Sequence, residues 1–223
     1  MTAVECEVAF DLVEMDLLAT HAGVRWPFPL RVPSFGRLAG ERRELLAEAA
    51  QGLQARGLAT DDGPVGMADE LVTALREYQA AVDLVVVGAE TTGAVALVHG
   101  HRAVVCRQEL SGSTVRATSV AAAELSDELA ALVPRVGAAQ TMPLTVPPGR
   151  GRDELAAFFP APGQGQAGAV SRGGTRLREV SWLDSAKGRV RVDAGADGWL
   201  SVNPMRHHEV VRAIGEVAAV ARG

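Results

Sequence analysis

Cysteine is scarce in this chain: two residues, Cys6 and Cys106, in 223. Two cysteines are too few to staple a fold, and each lies in an apolar run where a reduced, buried thiol is expected, which points to a reducing cytosol. No apolar run approaches the ~18 residues that a membrane span requires. The N-terminus carries Glu5 and Glu7 where a secretory signal carries positive charge. A basic stripe is missing too: the net charge is −5 and the pI about 5.6, so nothing supplies the phosphate neutralisation that nucleic-acid binding needs. The densest basic spot, Arg150-Gly-Arg152, reads as a solvated loop.

Catalytic and cofactor signatures are equally thin. Gly149-Arg-Gly151 and Gly163-Gln-Gly165 lack the flanking strand, helix and lysine of a phosphate loop. There is no G-x-S-x-G elbow, no H-E-x-x-H and no carboxylate pair spaced for acid–base work. His99-Gly-His101 followed by Cys106 offers imidazole and thiolate, but Gly100 marks a hairpin turn and no second ligand pair has zinc spacing. His207-His208 opens a helix, where neighbours point about 100° apart and chelate one ion poorly. Asp184 and Asp197 adjoin glycine-containing turns and read as turn residues. The expectation is therefore a protein with no metal, no cofactor and no catalytic constellation.

What is present is a globular pattern, with 48% hydrophobic and 22% charged residues. A strand is expected over residues 4–10, then a helix to Gly23 started by an Asp11/Glu14 capping box. Trp26-Pro-Phe-Pro-Leu30 with Pro33 forms a rigid extended connector. Helices follow over Leu38–Arg56 and about 67–78. Short β-branched runs at Leu84–Val87, Ala94–Val98, Ala103–Cys106 and Thr114–Ala117, separated by glycines, predict an antiparallel meander leading into a helix from Ser119 to Val133.

The rest of the chain repeats this grammar. An extended piece lies at Met142–Val146 and a helix at Asp153–Phe159. Strands follow at Ala167–Ser171, Leu177–Leu183, Arg189–Val192 and Trp199–Val202. The closing helix is expected to have Asn203 as N-cap, Pro204 as first residue and a stripe of Val210, Ile214, Val217 and Ala221. Pro162-Gly-Gln-Gly-Gln166 reads as a flexible loop. These features predict an α+β fold in one domain, residues 1–223, with pseudo-equivalent halves at about 1–135 and 136–223 sharing a mainly antiparallel sheet. Trp182 and Trp199 fall on expected strands of the last meander, where core packing is the first expectation and a partner anchor the second.

Trp182-Leu-Asp-Ser185 with Gly188-Arg189, then Asp197-Gly-Trp-Leu-Ser-Val202 and Pro204, resembles the C-terminal pattern of EspG-type chaperones of ESX (type VII) secretion systems. Pro33-Ser-Phe-Gly36, Glu41-Arg42 and Arg56-Gly-Leu58 resemble the family's N-terminal half. The chain departs from the pattern at Val190, where an aromatic is usual. The resemblance implies a quasi-two-fold antiparallel sheet with helical bundles packed on it. It also implies an ATP-independent cytoplasmic chaperone that binds the helical tip of a PPE-type protein in its PE–PPE heterodimer. By position it nominates the loop Glu90-Thr91-Thr92 and the strand carrying Arg178, Val180 and Trp182, with Arg206 and Arg212 as rim charge. Two rival readings are a ligand-binding or enzymatic pocket in which His99, His101, Asp184 or Asp197 converge, and a homodimeric scaffold.

Overall fold

In a computed structural model describing residues 7–158 and 160–223, the chain begins with edge strand β1 (Val8–Asp11) and helix α1 (Leu12–Ala22). The Asp11 carboxylate accepts the Val13 and Glu14 amides at 2.8 Å, and Glu14 accepts the Asp11 amide at 3.0 Å, so the expected capping box is formed. Gly23, at φ 74°, ends the helix in the left-handed region. Helices α2 (Ala39–Ala55) and α3 (Met67–Glu77) flank a two-residue hairpin, β2 (Ala59–Thr60) with β3 (Gly63–Pro64). Residues 4–6 of the expected first strand, Cys6 among them, and Phe159 lie outside the described residues.

Two four-stranded meanders follow. The first is β4 (Ala80–Val87), β5 (Thr91–His99), β6 (Arg102–Glu109) and β7 (Thr114–Ala121), closed by α4 (Leu125–Ala131). After β8 (Leu144–Val146), α5 (Gly151–Leu155) and a 3₁₀ turn (Ala156–Phe158) come β9 (Gly163–Ser171), β10 (Arg176–Ser185), β11 (Gly188–Ala194) and β12 (Leu200–Pro204), closed by α6 (His207–Arg222). One ten-stranded sheet results, in the order β1-β7-β6-β5-β4-β9-β10-β11-β12-β8, every neighbouring pair antiparallel. The order mirrors itself about the central β4–β9 pair, which is the expected quasi-two-fold sheet.

Side-chain alternation assigns the faces. Val82, Leu84, Val86, Ala94, Ala96, Val105, Ala167, Val180 and Trp182 form one core with α4 and the α6 residues Val210, Ile214, Val217, Ala218 and Ala221. On the opposite face Val95, Leu97, Val104, Cys106, Val115 and Ala117 pack against α1 and α3. Cys106 is a free, fully buried thiol, and burial pushes its pKa up to about 12.

Three local expectations change. The ladder carries β7 to Ala121, pairing Val120 with Ala103, so α4 begins only at Leu125: the β-branched Thr118 and Val120 extend the sheet rather than start a helix. Asn203 and Pro204 are the last residues of β12, paired with Arg191 and Val190. The closing helix therefore starts at His207, with the Glu209 carboxylate accepting the Arg206 amide at 2.6 Å. The expected loop at Gly163–Gln166 is the start of β9, paired on both sides.

The glycines there serve packing. A Cβ on Gly165 would lie 2.0 Å from Trp182 Cζ2, whereas one on Gly215 of α6 would meet nothing nearer than Ser126 Cβ at 4.0 Å. Denaturant unfolding should show Gly165→Ala losing about 1–3 kcal/mol to overpacking and Gly215→Ala gaining roughly 0.5–1 kcal/mol from helix propensity.

Candidate protein-binding face

The helices leave part of the sheet open. On the α1–α3 face, the connector after α1 crosses the strand ends: Pro29 packs over Gly93, and the Arg31 amide donates to Gln108 Oε1 at 2.8 Å. Further along the same face, Phe158 and Leu155 cover β11 and β12. Between these two covers the odd-numbered side chains of β4, the even-numbered ones of β9 and the odd-numbered ones of β10 face an open trough. Phe28, Val85, Val87, Gln164, Gln166, Ser181 and Leu183 line this groove of about 280 Å³. None of these side chains is ionisable, and Phe28 is 61% exposed at the rim. An ion cluster closes one end: Arg176 bonds buried Asp83 at 2.6 Å and reaches Glu179 at 3.4 Å. A register shift between Arg176 and Arg178 turns the Arg176 guanidinium over Gly168 onto this face.

The nominated residues divide between the two faces. Glu90 is exposed in the β4–β5 turn, and Thr91 starts β5 on the trough face. Thr92 points to the other face. Arg178, Val180 and Trp182 do share one face, but it is the face that α6 covers: Val180 is 3% exposed and Trp182 1%. Val180 and Trp182 lie under α6 and are core, so of these three only Arg178 reaches the surface. Arg178 remains exposed and pairs with Glu216 of α6, which Arg212 also approaches at 3.5 Å. Arg206 is exposed at the helix start. Trp199 stands just before β12 at 44% exposure. The trough residues carried a sequence signal, since Ser181 and Leu183 alternate with Val180 and Trp182, but alternation does not say which side a helix covers.

The pocket reading loses its constellation. His99 pairs with Arg102 at one end of the sheet, while Asp184 pairs with Gly163 and Arg189 at the other. Asp197 caps a turn by accepting the Trp199 amide at 3.2 Å, beyond β11 and four strands from β5. Asp184 is also no turn residue. Its two carboxylate oxygens accept Arg189 Nε at 2.6 Å and Nη2 at 2.8 Å. Arg189 is 0% exposed, donates also to the Pro134 carbonyl and lies 5.6 Å from the Trp182 ring centroid. Among the described residues, no cluster of His, Cys, Asp and Glu is arranged to hold a metal, and no helix is long and apolar enough to cross a membrane.

His207, the first residue of α6, feels this cluster. Burial, then Arg189, Arg135 and His208, lower its pKa from the ordinary 6.5, and the helix N-terminus also disfavours an imidazolium. The neutral ring is the form the fold prefers, so its contribution is complete above 6.5 and is lost as pH falls through 6.5 to the lower folded value. Asp83 is raised from 3.8, chiefly by burial, and acts in the opposite sense in a more acidic window. Melting curves should show Tm falling as pH drops below about 6.5, with a shallower fall in His207→Gln.

The EspG family model matches residues 11–216, most of the chain. The chain belongs to the EspG family. A solved structure of the Mycobacterium tuberculosis type VII secretion system chaperone EspG5, in complex with a PE25–PPE41 dimer, is 10% identical, covers 96% of each chain and has a TM-score of 0.69. At that identity the likeness establishes a shared EspG fold. No protein of curated function matches the chain in sequence.

Proposed function

We propose that this EspG-family chain is a cytoplasmic chaperone that acts without ATP or catalysis. It holds the apolar helical tip of a PPE-type protein, in its PE–PPE heterodimer, soluble and available to an ESX secretion system. The observation that carries the proposal is the trough: a sheet face left open between the connector after α1 and the Leu155–Phe158 cover, uncharged and apolar at Phe28, Val85, Val87 and Leu183. Patches of this kind mark partner sites on soluble proteins. A charged tip is selected against, because the side chains lining the groove carry no charge and the ions at its end are already paired with one another. The side chains of one or two helical turns fill the trough as the central anchor of a larger contact, which Glu90 and Thr91 border at one end.

The mechanism is mass action. Binding covers the tip and lowers the concentration of free, self-associating cargo until the secretion apparatus competes for it. Family membership and the shared fold support this reading, together with the relative bound to a PE–PPE dimer. Co-expression with a PE–PPE-type pair from the same genome, followed by size-exclusion chromatography with mass determination, tests it. One chaperone per heterodimer in a soluble complex is expected. Clean separation, with the pair soluble alone, contradicts it, and a partner-free mass of twice the chain favours a homodimeric scaffold.

A further inference from the structure

Arg107 of β6 and Arg116 of β7 stand directly opposite each other in the ladder, both on the α4/α6 face and both partly exposed. Like charges in directly opposed cross-strand positions repel, so the arrangement is favourable only where an anion lies between them. The protein supplies one. The Glu7 carboxylate lies 2.5 Å from Arg107 Nη2 and 3.0 Å from Arg116 Nη1. Glu7 precedes Val8, the first residue of edge strand β1 that pairs with β7. Withdrawing its side chain therefore breaks no register in the ladder, and an edge of this kind opens at low cost. The two guanidinium groups border a surface groove of about 460 Å³, whose lining also includes Thr92, Thr114 and Glu109.

We infer that this groove is a second protein-docking site, for a partner segment that places a carboxylate between Arg107 and Arg116 and hydrogen-bonding groups on Thr92 and Thr114. Glu7 is its built-in competitor. The intramolecular carboxylate shows that the fork accepts the group, and its position ahead of the ladder makes it displaceable. Glu109 disfavours a dense acidic run and selects spaced carboxylates. The site stands whether or not the trough binds cargo. Because it lies on the opposite face of the sheet from the trough, a loaded chaperone can still present it to a further component.

The test uses the full chain and a fluorescein-labelled (Gly-Glu)₄ peptide, read by anisotropy at low ionic strength. Glu7→Gln should bind the peptide about tenfold more tightly than the parent, the change expected when a plug closed about nine-tenths of the time is removed. Adding Arg116→Gln, or separately Arg107→Gln, to Glu7→Gln should return binding to the parent level or below. Equal binding by parent and Glu7→Gln, or binding that survives loss of either arginine, overturns the site. So does calorimetric binding of inorganic phosphate by Glu7→Gln without binding of the peptide, which would make the fork a small-anion site. Binding of a PE–PPE pair is measured alongside, and its failure bears on the trough alone.

Discussion

Gln166→Arg should weaken cargo binding by roughly 100-fold while leaving the fold intact. Gln166 lies mid-trough on β9, half-buried, between Val85 of β4 and Ser181 of β10. A guanidinium there is covered by the docked tip, and the nearest carboxylates on this face, Asp83 and Glu179, are already engaged by Arg176; an incompletely compensated interfacial charge costs on the order of 2–4 kcal/mol. At 1.4 kcal/mol per tenfold that is about 30- to 1,000-fold in Kd. In the free protein the long side chain extends into solvent, so the unfolding free energy should move by less than about 1 kcal/mol. Titration calorimetry against a purified PE–PPE pair reads the loss, and unfolding curves check the fold. Arg178→Gln, on the opposite face, should bind as the parent does.

The largest stability effect falls on Asp184. Among the described residues, its carboxylate is the only acidic partner of fully buried Arg189. Asp184→Ala leaves that charge buried and unpaired, which costs about 3–5 kcal/mol. For a chain of this size each kcal/mol moves Tm by roughly 2–4 °C, so a fall of about 6–20 °C is expected in a thermal melt. The damage should spread, because Arg189 ties several segments together. Its side chain holds the Pro134 carbonyl, its amide donates to the Gly137 carbonyl, and its own carbonyl accepts the Ala139 and Met205 amides. Asp184→Leu combined with Arg189→Met removes both charges and should recover most of the loss, since an apolar pair of similar volume substitutes well for a buried ion pair. If Asp184→Ala melts within about 2 °C of the parent, the ion pair is not what fixes this corner.

Much of this architecture was legible in the sequence where the signal is local. The Asp11/Glu14 box, Gly23, the α2 and α3 boundaries and the two meanders depend on residues within a few positions of one another, and all are found. Two of the misses depend on contacts distant in sequence. Gly163–Gln166 reads as a flexible loop because two glycines and two glutamines have poor strand propensity. It is a central strand because Trp182 and Asp184, about twenty residues on, need space above Gly165 and Gly163. Arg178, Val180 and Trp182 share one strand face, as alternation dictates, but the alternation of a strand is symmetric. Only the packing of α6, whose apolar stripe begins at Val210, decides that this face is core and that Ser181 and Leu183 face the trough. The Asp184–Arg189 pair spans a two-residue turn at Ala186-Lys187, so placing that hairpin would have set the carboxylate opposite the guanidinium.

In the proposed function, cargo docks on the trough face of β4, β9 and β10. Site-specific incorporation of a photo-crosslinking phenylalanine tests it directly, at Gln166 in one preparation and at Arg178 in another, each irradiated with a bound PE–PPE pair. Docking on the trough should give a covalent adduct to the PPE-type chain from position 166 and none from position 178. Adduct from 178 with none from 166 would place the cargo on the α6 face and contradict it.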